Sequence, residues 1–104
     1  LSLCEQWDAL SAPKIYNRDF LINNGCFYND YEQAEDIYFC YLTLLKANKI
    51  YITNDVFYNY RCNNPNSLGA EPGKDSECAK RIFSDVFEIT KNCPQQIKNI
   101  ICKI

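Results

Sequence analysis

Apolar residues recur at helical spacing in several stretches of the chain, most regularly after Ser76. Spacings of three and four residues place apolar side chains on one face of a helix and favour burial of that face. Ser76 is a suitable N-cap, and the sequence at 92–94, which ends in proline, stops the helix. The predicted core stripe of this helix comprises Ala79, Ile82, Phe83, Val86, Phe87 and Thr90.

A second amphipathic pattern predicts the longest helix of the chain, which ends near Ala47. Asn29 followed three residues later by Glu32 is a helix-start signal, because an asparagine side chain can cap an orphan backbone amide. The residues that keep helical spacing after this signal are Tyr31, Ala34, Ile37, Tyr38, Tyr41, Leu44 and Leu45.

Shorter helices are predicted towards both ends of the chain. Ser2 and Glu5 form a capping box for a helix over residues 3–10. Ser11 can begin the next helix, which ends at residues 23–25, where a glycine can adopt the left-handed conformation. Near the C-terminus, isoleucines at helical spacing predict a final helix. They are Ile97, Ile100, Ile101 and Ile104.

The middle of the chain has a different pattern. Residues 49–52 are β-prone but too few to suggest a paired strand, so they are predicted to be an extended connector. Thr53 or Asn54 can then cap a short helix. The apolar positions of that helix are Val56, Phe57 and Tyr60.

Residues 63–77 contain two prolines and two glycines and predict a surface loop, or a hinge between two halves. A chain of 104 residues is the size of one domain. The patterns therefore predict a single domain over 1–104. Its expected fold is all-α, a compact bundle of about five to six short helices.

Seven cysteines in this chain, with no histidine and no Cys-x-x-Cys pair, favour disulfides over a zinc site. About three disulfides are expected, so the protein is predicted to be secreted, with its signal peptide already removed. The odd cysteine is expected either as a free thiol or in a disulfide-linked dimer. The cysteines are Cys4, Cys26, Cys40, Cys62, Cys78, Cys93 and Cys102.

Helical geometry limits the disulfide pairings. If residues 26–40 are mainly helical, Cys26 and Cys40 lie about 20 Å apart, whereas the Cα atoms of a disulfide lie within roughly 7 Å. The same argument excludes a disulfide within the helix after Ser76 and one within the last helix. The pairings that remain open include Cys4–Cys26, Cys40–Cys62 and Cys4–Cys40.

The composition argues against several classes of function. Without histidine, the chain has no His base for a Ser or Cys nucleophile, so no catalytic residue is predicted. The net charge is −2 and the basic residues are scattered, which argues against nucleic acid as a partner. No apolar run approaches the roughly 20 residues of a membrane span. No metal site and no cofactor are predicted.

Aromatic residues are abundant, with eight tyrosines, six phenylalanines and one tryptophan. Tyrosine is suited to interfaces because it combines a large rigid ring with a polar tip. The aromatic residues assigned to the core are Trp7, Phe20, Tyr38, Phe57, Phe83 and Phe87. The candidates for an exposed binding surface are Tyr28, Tyr31, Tyr41, Tyr51 and Tyr58.

Two cysteines are each preceded by a tyrosine two residues earlier, in Tyr38-x-Cys40 and Tyr60-x-Cys62. Together with Cys26, this pattern resembles the paired Cys-Tyr-Cys motifs of the bicycle proteins, secreted salivary effectors of gall-forming aphids. The match covers about a third of the chain. The resemblance implies delivery into plant tissue, where such a protein alters host development.

The spacing of the last three cysteines, Cys78, Cys93 and Cys102, resembles that of insect odorant-binding-like proteins. Eight residues lie between the final two, and 37 residues lie between Cys40 and the first. At the position where that family has a further cysteine, this chain has Asp36. The resemblance implies a carrier of small apolar ligands. Its cavity would be lined by Phe20, Tyr38, Phe57, Phe83 and Phe87.

The leading hypothesis from the sequence is a non-enzymatic secreted effector that binds a host protein through its tyrosine-rich surface. The alternative is the carrier of small apolar ligands. The first hypothesis depends on exposed tyrosines and the second on a cavity, so the structure bears on both.

Overall fold

The structure, a computed structural model, describes residues 10–66 and 76–94. Within these ranges the chain forms three α-helices and no strand: α1 (Arg18–Asn23), α2 (Glu35–Lys46) and α3 (Ser76–Thr90). The prediction of a helical fold is confirmed for this part of the chain. The helices predicted over 3–10 and at the C-terminus lie outside the described residues, as does Trp7.

Helix α1 ends where predicted but begins later. The Asn17 side chain accepts a hydrogen bond from the Phe20 amide at 2.9 Å, which fixes the start at Arg18 rather than near Ser11. At the other end Gly25 has a φ of 63°. The amide of Cys26 donates to the carbonyl of Leu21 across this glycine, as in a Schellman motif.

Helix α2 begins six residues after the predicted cap at Asn29. The Asn29 amide group instead donates to the Tyr31 hydroxyl at 3.0 Å, so it is used in a local contact. The N-cap is Ala34, which has a left-handed φ of 55° and makes no side-chain cap. With 12 residues α2 is shorter than α3, which has 15, so the prediction that it is the longest helix is wrong.

The predicted connector at 49–52 is confirmed as non-helical chain, but the helix predicted after Thr53 is absent. The Thr53 hydroxyl accepts a hydrogen bond from the Asp55 amide at 3.1 Å and lies 2.6 Å from the Asp55 carboxylate. Such local bonds offer the backbone an alternative to helix. Val56, Phe57 and Tyr60 are exposed, so no buried apolar face stabilises a helix here.

Helix α3 begins at Ser76 as predicted, but it buries a neighbouring stripe. Ile82, Val86 and Thr90 are buried as expected, together with Cys78. Phe83 and Phe87, which were assigned to the core, are 58% and 64% exposed. Successive residues are about 100° apart around a helix, and the buried stripe is rotated from the predicted one by roughly half of this angle. Ala79 is exposed for the same reason.

The core lies mainly between α2 and α3 and consists of two clusters of buried residues. The first is formed by Tyr31, Tyr41, Cys78, Ile82 and Val86. The second is formed by Cys26, Phe39 and Leu42, with the half-buried Phe20 packed against it. Tyr38 and Ile89 contact both clusters. Of the aromatic residues assigned to the core, Phe20 and Tyr38 are therefore half-buried core neighbours, whereas Phe57 is exposed.

Candidate functional site: an apolar groove and an exposed aromatic segment

A groove of about 710 Å³ lies between the chain before and within α1, the C-terminal end of α2 and the segment that follows α2. It is partly open to solvent, and Ile15 at its edge is mostly exposed. We refer to it as the α1–α2 groove. Its lining residues are Pro13, Lys14, Ile15, Tyr16, Asn17, Phe20, Thr43, Ala47, Asn48, Lys49, Ile50, Tyr51, Ile52, Thr53 and Phe57.

One wall of the groove is fixed to the core through Tyr16. Its ring meets the buried Phe39 ring edge-on, with centroids 5.1 Å apart. Its hydroxyl lies 3.9 Å from the Cys40 sulfur. Burial, and secondarily the Cys40 thiol, raises the pKa of Tyr16 above its usual value, so the hydroxyl is neutral at physiological pH. At Tyr16 this wall therefore presents a neutral aromatic side chain.

The end of α2 provides the floor of the groove. Thr43 lines it, and the Thr43 hydroxyl donates to the carbonyls of Phe39 and Cys40 at 2.9 and 3.0 Å. The Ala47 amide donates to the Thr43 carbonyl and closes the last turn of the helix. These bonds fix the backbone from which residues 48–57 continue to the opposite wall.

The opposite wall carries a cation beside an aromatic ring. The Lys49 ammonium lies 5.0 Å from the centroid of the Tyr51 ring, within the range of a cation–π contact. Among the residues that the structure describes, the lining contains two lysines, Lys14 and Lys49, and no carboxylate. The electrostatic potential of the groove is therefore expected to be positive, although the chain carries a net charge of −2.

The cavity predicted from the sequence corresponds only in part to this groove. Phe20 and Phe57 line it, whereas Tyr38, Phe83 and Phe87 do not. The sequence interpretation did not single out Ile15 or Tyr16. The chain before α1 carries no pattern that marks it as a wall of a groove, because its opposite wall is more than 30 residues away in sequence.

The second candidate site is the exposed aromatic segment, residues 51–60, which follows the connector. Its large apolar side chains are mostly in solvent: Tyr51 is 80%, Val56 84% and Tyr60 62% exposed. Tyr58 is exposed as predicted, and Phe57 belongs both to this segment and to the groove. Contiguous exposed apolar side chains are characteristic of interaction surfaces.

Two of the five tyrosines assigned to an exposed surface are buried. Tyr31 donates a hydrogen bond to the Asp85 carboxylate at 2.5 Å, and the Arg81 guanidinium lies 5.6 Å from its ring centroid. Tyr41 lies on the face of α2 that packs into the same cluster as Ile82. Neither residue can form part of an exposed binding surface, so these two assignments are wrong.

Tyr28 is exposed as predicted, although one ring face is covered. It stacks on the buried Phe39 ring, with centroids 4.2 Å apart and an interplanar angle of 12°. Desolvation raises the pKa of Tyr28, while a hydrogen bond to Ser11 acts in the opposite direction. Of the five tyrosines assigned to an exposed surface, Tyr28, Tyr51 and Tyr58 are accessible in the structure.

The cysteines in the described ranges differ in burial. Cys26, Cys40 and Cys78 are buried, Cys93 is half-buried and Cys62 is exposed. No disulfide joins these five to one another. Desolvation raises the pKa of the Cys26 thiol, with Lys46 opposing the shift, and this disfavours the reactive thiolate. Disulfide formation remains a prediction, and Cys4 and Cys102 lie outside the described residues.

The structure removes the reason for excluding one of the disulfide pairings. Only residues 35–40 of the 26–40 stretch are helical, so the helical distance no longer excludes a Cys26–Cys40 disulfide. By contrast, α3 does separate Cys78 from Cys93. Thr90 follows Cys78 by twelve positions of continuous helix, which corresponds to roughly 18 Å along the helix axis. The exclusion of that pair therefore stands.

Two further classes of site can be examined in residues 10–66 and 76–94. No group of three or more Cys, Asp or Glu side chains there is arranged to hold a metal ion. No helix in these ranges combines the length and apolarity needed to cross a membrane. The chain matches no protein-family model, no curated protein and no solved structure.

Proposed function

We propose that this protein is a secreted, non-enzymatic effector that binds a host protein through its exposed aromatic segment. The observation that carries the proposal is the solvent exposure of Tyr51, Val56 and Tyr60 within ten residues of chain. Aromatic side chains dominate the energetics of protein interfaces, because burying a large rigid ring releases much water at little entropic cost.

Secretion and the host context rest on separate observations from the sequence. Seven cysteines in a small chain support an oxidising compartment. The Cys26, Tyr38 and Cys40 spacing, through its resemblance to bicycle proteins, supports a plant host whose development is altered. The absence of histidine supports a binding role over a catalytic one. The exposed aromatic segment adds a surface through which such binding could occur.

The proposal is tested with a variant that replaces three exposed side chains of the aromatic segment and leaves the buried core residues unchanged. The triple variant Tyr51→Ser, Val56→Ser and Tyr60→Ser is compared with the wild type in affinity capture from plant tissue, with quantitative mass spectrometry. A matched control, Phe83→Ser with Phe87→Ser, removes two other exposed rings. Partners retained by the control and lost by the triple variant are then purified, and their dissociation constants are measured.

We expect the wild type and the control to bind a purified partner directly, and the triple variant to bind it at least tenfold more weakly. The reason is that aromatic hot-spot residues contribute about 2 kcal/mol or more to binding. Unchanged binding by the triple variant would contradict the proposed surface. Turnover of a substrate by the purified protein would contradict the non-enzymatic role.

The α1–α2 groove favours a second candidate function, a carrier of small apolar ligands. Its volume of about 710 Å³ falls within the roughly 300–1,000 Å³ of ligand pockets, and Phe20, Ile50 and Phe57 give it apolar walls. Binding of the neutral fluorophore N-phenyl-1-naphthylamine tests this function. Phe57→Ala should weaken fluorophore binding, and Phe87→Ala, at a similarly exposed phenylalanine outside the groove, should not.

A further inference from the structure

The charge of the α1–α2 groove narrows the class of ligand that fits it. Lys49 lines the groove together with Lys14, whose ammonium also donates to the Leu10 carbonyl, and none of the described lining residues is Asp or Glu. An acidic side chain close to these lining residues is Asp55, whose carboxylate lies 2.6 Å from the Thr53 hydroxyl. A cationic ligand would therefore meet like charge in the groove, and an anionic ligand would meet opposite charge.

The position of Lys49 supports the same conclusion. Its ammonium lies over the Tyr51 ring, and among the described residues it forms no ion pair with a carboxylate. An ammonium has three N–H donors, so one that contacts a ring face can still donate to an oxygen acceptor on its other side. Lys49 is also exposed, so a ligand can reach it from the open side of the groove.

The remainder of the lining is apolar or aromatic and suits a hydrocarbon chain. Ile15, Phe20 and Phe57 line the groove with Ile50 and Ile52. The exposed Ile15 and Phe57 side chains would be removed from water when a chain covers them, at roughly 25 cal/mol per Å² of apolar surface. An elongated hydrocarbon with one anionic end would satisfy both the apolar walls and the lysines.

We infer that the α1–α2 groove binds an amphipathic anion of the long-chain fatty carboxylate class, with its carboxylate at Lys49 and its hydrocarbon chain against Phe20 and Phe57. The inference rests on the second proposed function, ligand carriage by the groove, and adds the chemistry of the ligand. A carboxylate accepts charge-assisted hydrogen bonds from ammonium groups, which a neutral alcohol of equal chain length cannot match.

The test uses the full chain and three ligands of equal chain length. Dodecanoate, 1-dodecanol and dodecylammonium are each titrated, below the concentration at which they aggregate, against the protein loaded with N-phenyl-1-naphthylamine. We expect dodecanoate to displace the fluorophore with an affinity roughly threefold to tenfold above that of 1-dodecanol, and dodecylammonium to be the weakest.

Variants of Lys49 assign the preference to one residue. Lys49→Gln should remove most of the difference in affinity between dodecanoate and 1-dodecanol, and Lys49→Arg should restore this difference. The matched control is Lys80→Gln, which removes one exposed lysine on α3 that pairs with Glu77 and so changes the net charge equally. Amide chemical-shift changes on dodecanoate binding should centre on Phe20, Thr43 and Ala47.

The outcomes separate the inference from the function on which it rests. Equal affinity for dodecanoate and 1-dodecanol would overturn the anionic ligand class while the groove remained a ligand site. Equal loss of dodecanoate affinity in Lys49→Gln and Lys80→Gln would likewise overturn it, because the effect would come from net charge. Shift changes centred on α3, or no binding of the fluorophore or any ligand, would overturn the groove function together with the inference.

Discussion

The hydroxyl of Tyr31 donates a hydrogen bond to the carboxylate of Asp85, which lies 54 residues later in the chain. The bond joins the segment before α2 to the middle of α3. Asn29 donates to the same hydroxyl at 3.0 Å. Tyr31 thus has a polar contact at its tip and buried neighbours around its ring, including Ile82 and Val86. Its burial removes it from the candidate binding surface and makes it part of the α2–α3 packing.

Tyr31→Phe should lower the free energy of unfolding by about 1 kcal/mol, because it removes a hydrogen bond to a charged acceptor that is itself only half-buried. Urea denaturation followed by circular dichroism measures the change. Tyr58→Phe removes a hydroxyl from an exposed ring and should change stability by less than about 0.5 kcal/mol. Equal effects of the two substitutions would contradict the role of the Tyr31–Asp85 bond.

Neighbouring residues on α3 should differ sharply in their sensitivity to truncation. Ile82 is 1% exposed, so Ile82→Ala should cost about 2–4 kcal/mol of unfolding free energy through lost burial and a new cavity. Phe83→Ala removes a larger side chain that is mostly in solvent, and it should cost less than about 1 kcal/mol. Thermal or urea unfolding measures both effects. A larger loss of unfolding free energy in Phe83→Ala than in Ile82→Ala would show that the core contains the Phe83 face of α3, as predicted from the sequence.

That contrast shows why part of the fold could be predicted from the sequence and part could not. The end of α1 before Gly25 depends on local capping chemistry, and the start of α3 at Ser76 follows a sequence rich in proline and glycine, so both were predictable. The buried face of α3 could not be predicted, because Ile82 and Phe83 lie on adjacent apolar stripes of the same helix. Only the position of α2 decides between them, and that position depends on contacts distant in sequence.

The candidate sites, like the fold, could be predicted from the sequence only in part. The abundance of tyrosine predicted an exposed aromatic surface, and Tyr51 and Tyr58 are indeed exposed. The prediction of a helix after Thr53 was wrong, because a local turn between Thr53 and Asp55 competes with helix formation. The α1–α2 groove has no sequence motif, since residues distant in sequence, such as Tyr16 and Lys49, line it together.

Gly25→Ala should destabilise the protein by about 1 kcal/mol, because its φ of 63° is costly for a residue with a Cβ. No atom lies within 4 Å of the position that the Cβ would occupy, so the cost should come from the backbone conformation alone. Gly25→Asn should cost less, because asparagine tolerates the left-handed region. Equal costs for alanine and asparagine in urea denaturation would contradict this explanation.

Stability should fall at alkaline pH through the buried tyrosines. Desolvation is the largest cause of the raised pKa of Tyr31, Tyr38 and Tyr41 above the usual value of 10.0, so the folded state keeps their protons where the unfolded chain loses them. Below pH 10 both states are protonated and these groups add no pH dependence. Above it the unfolded state binds fewer protons, so the free energy of unfolding decreases as the pH rises.

Burial also raises the pKa of Cys26 above 9.0, so the free energy of unfolding should begin to fall near pH 9 and fall more steeply above pH 10. Urea denaturation at intervals from pH 7 to 11, in the presence of a reductant, measures this free energy. Tyr41→Phe should reduce the slope above pH 10 because it removes one buried titrating group. A slope of equal size in the wild type and Tyr41→Phe would show that the alkaline transition has another origin.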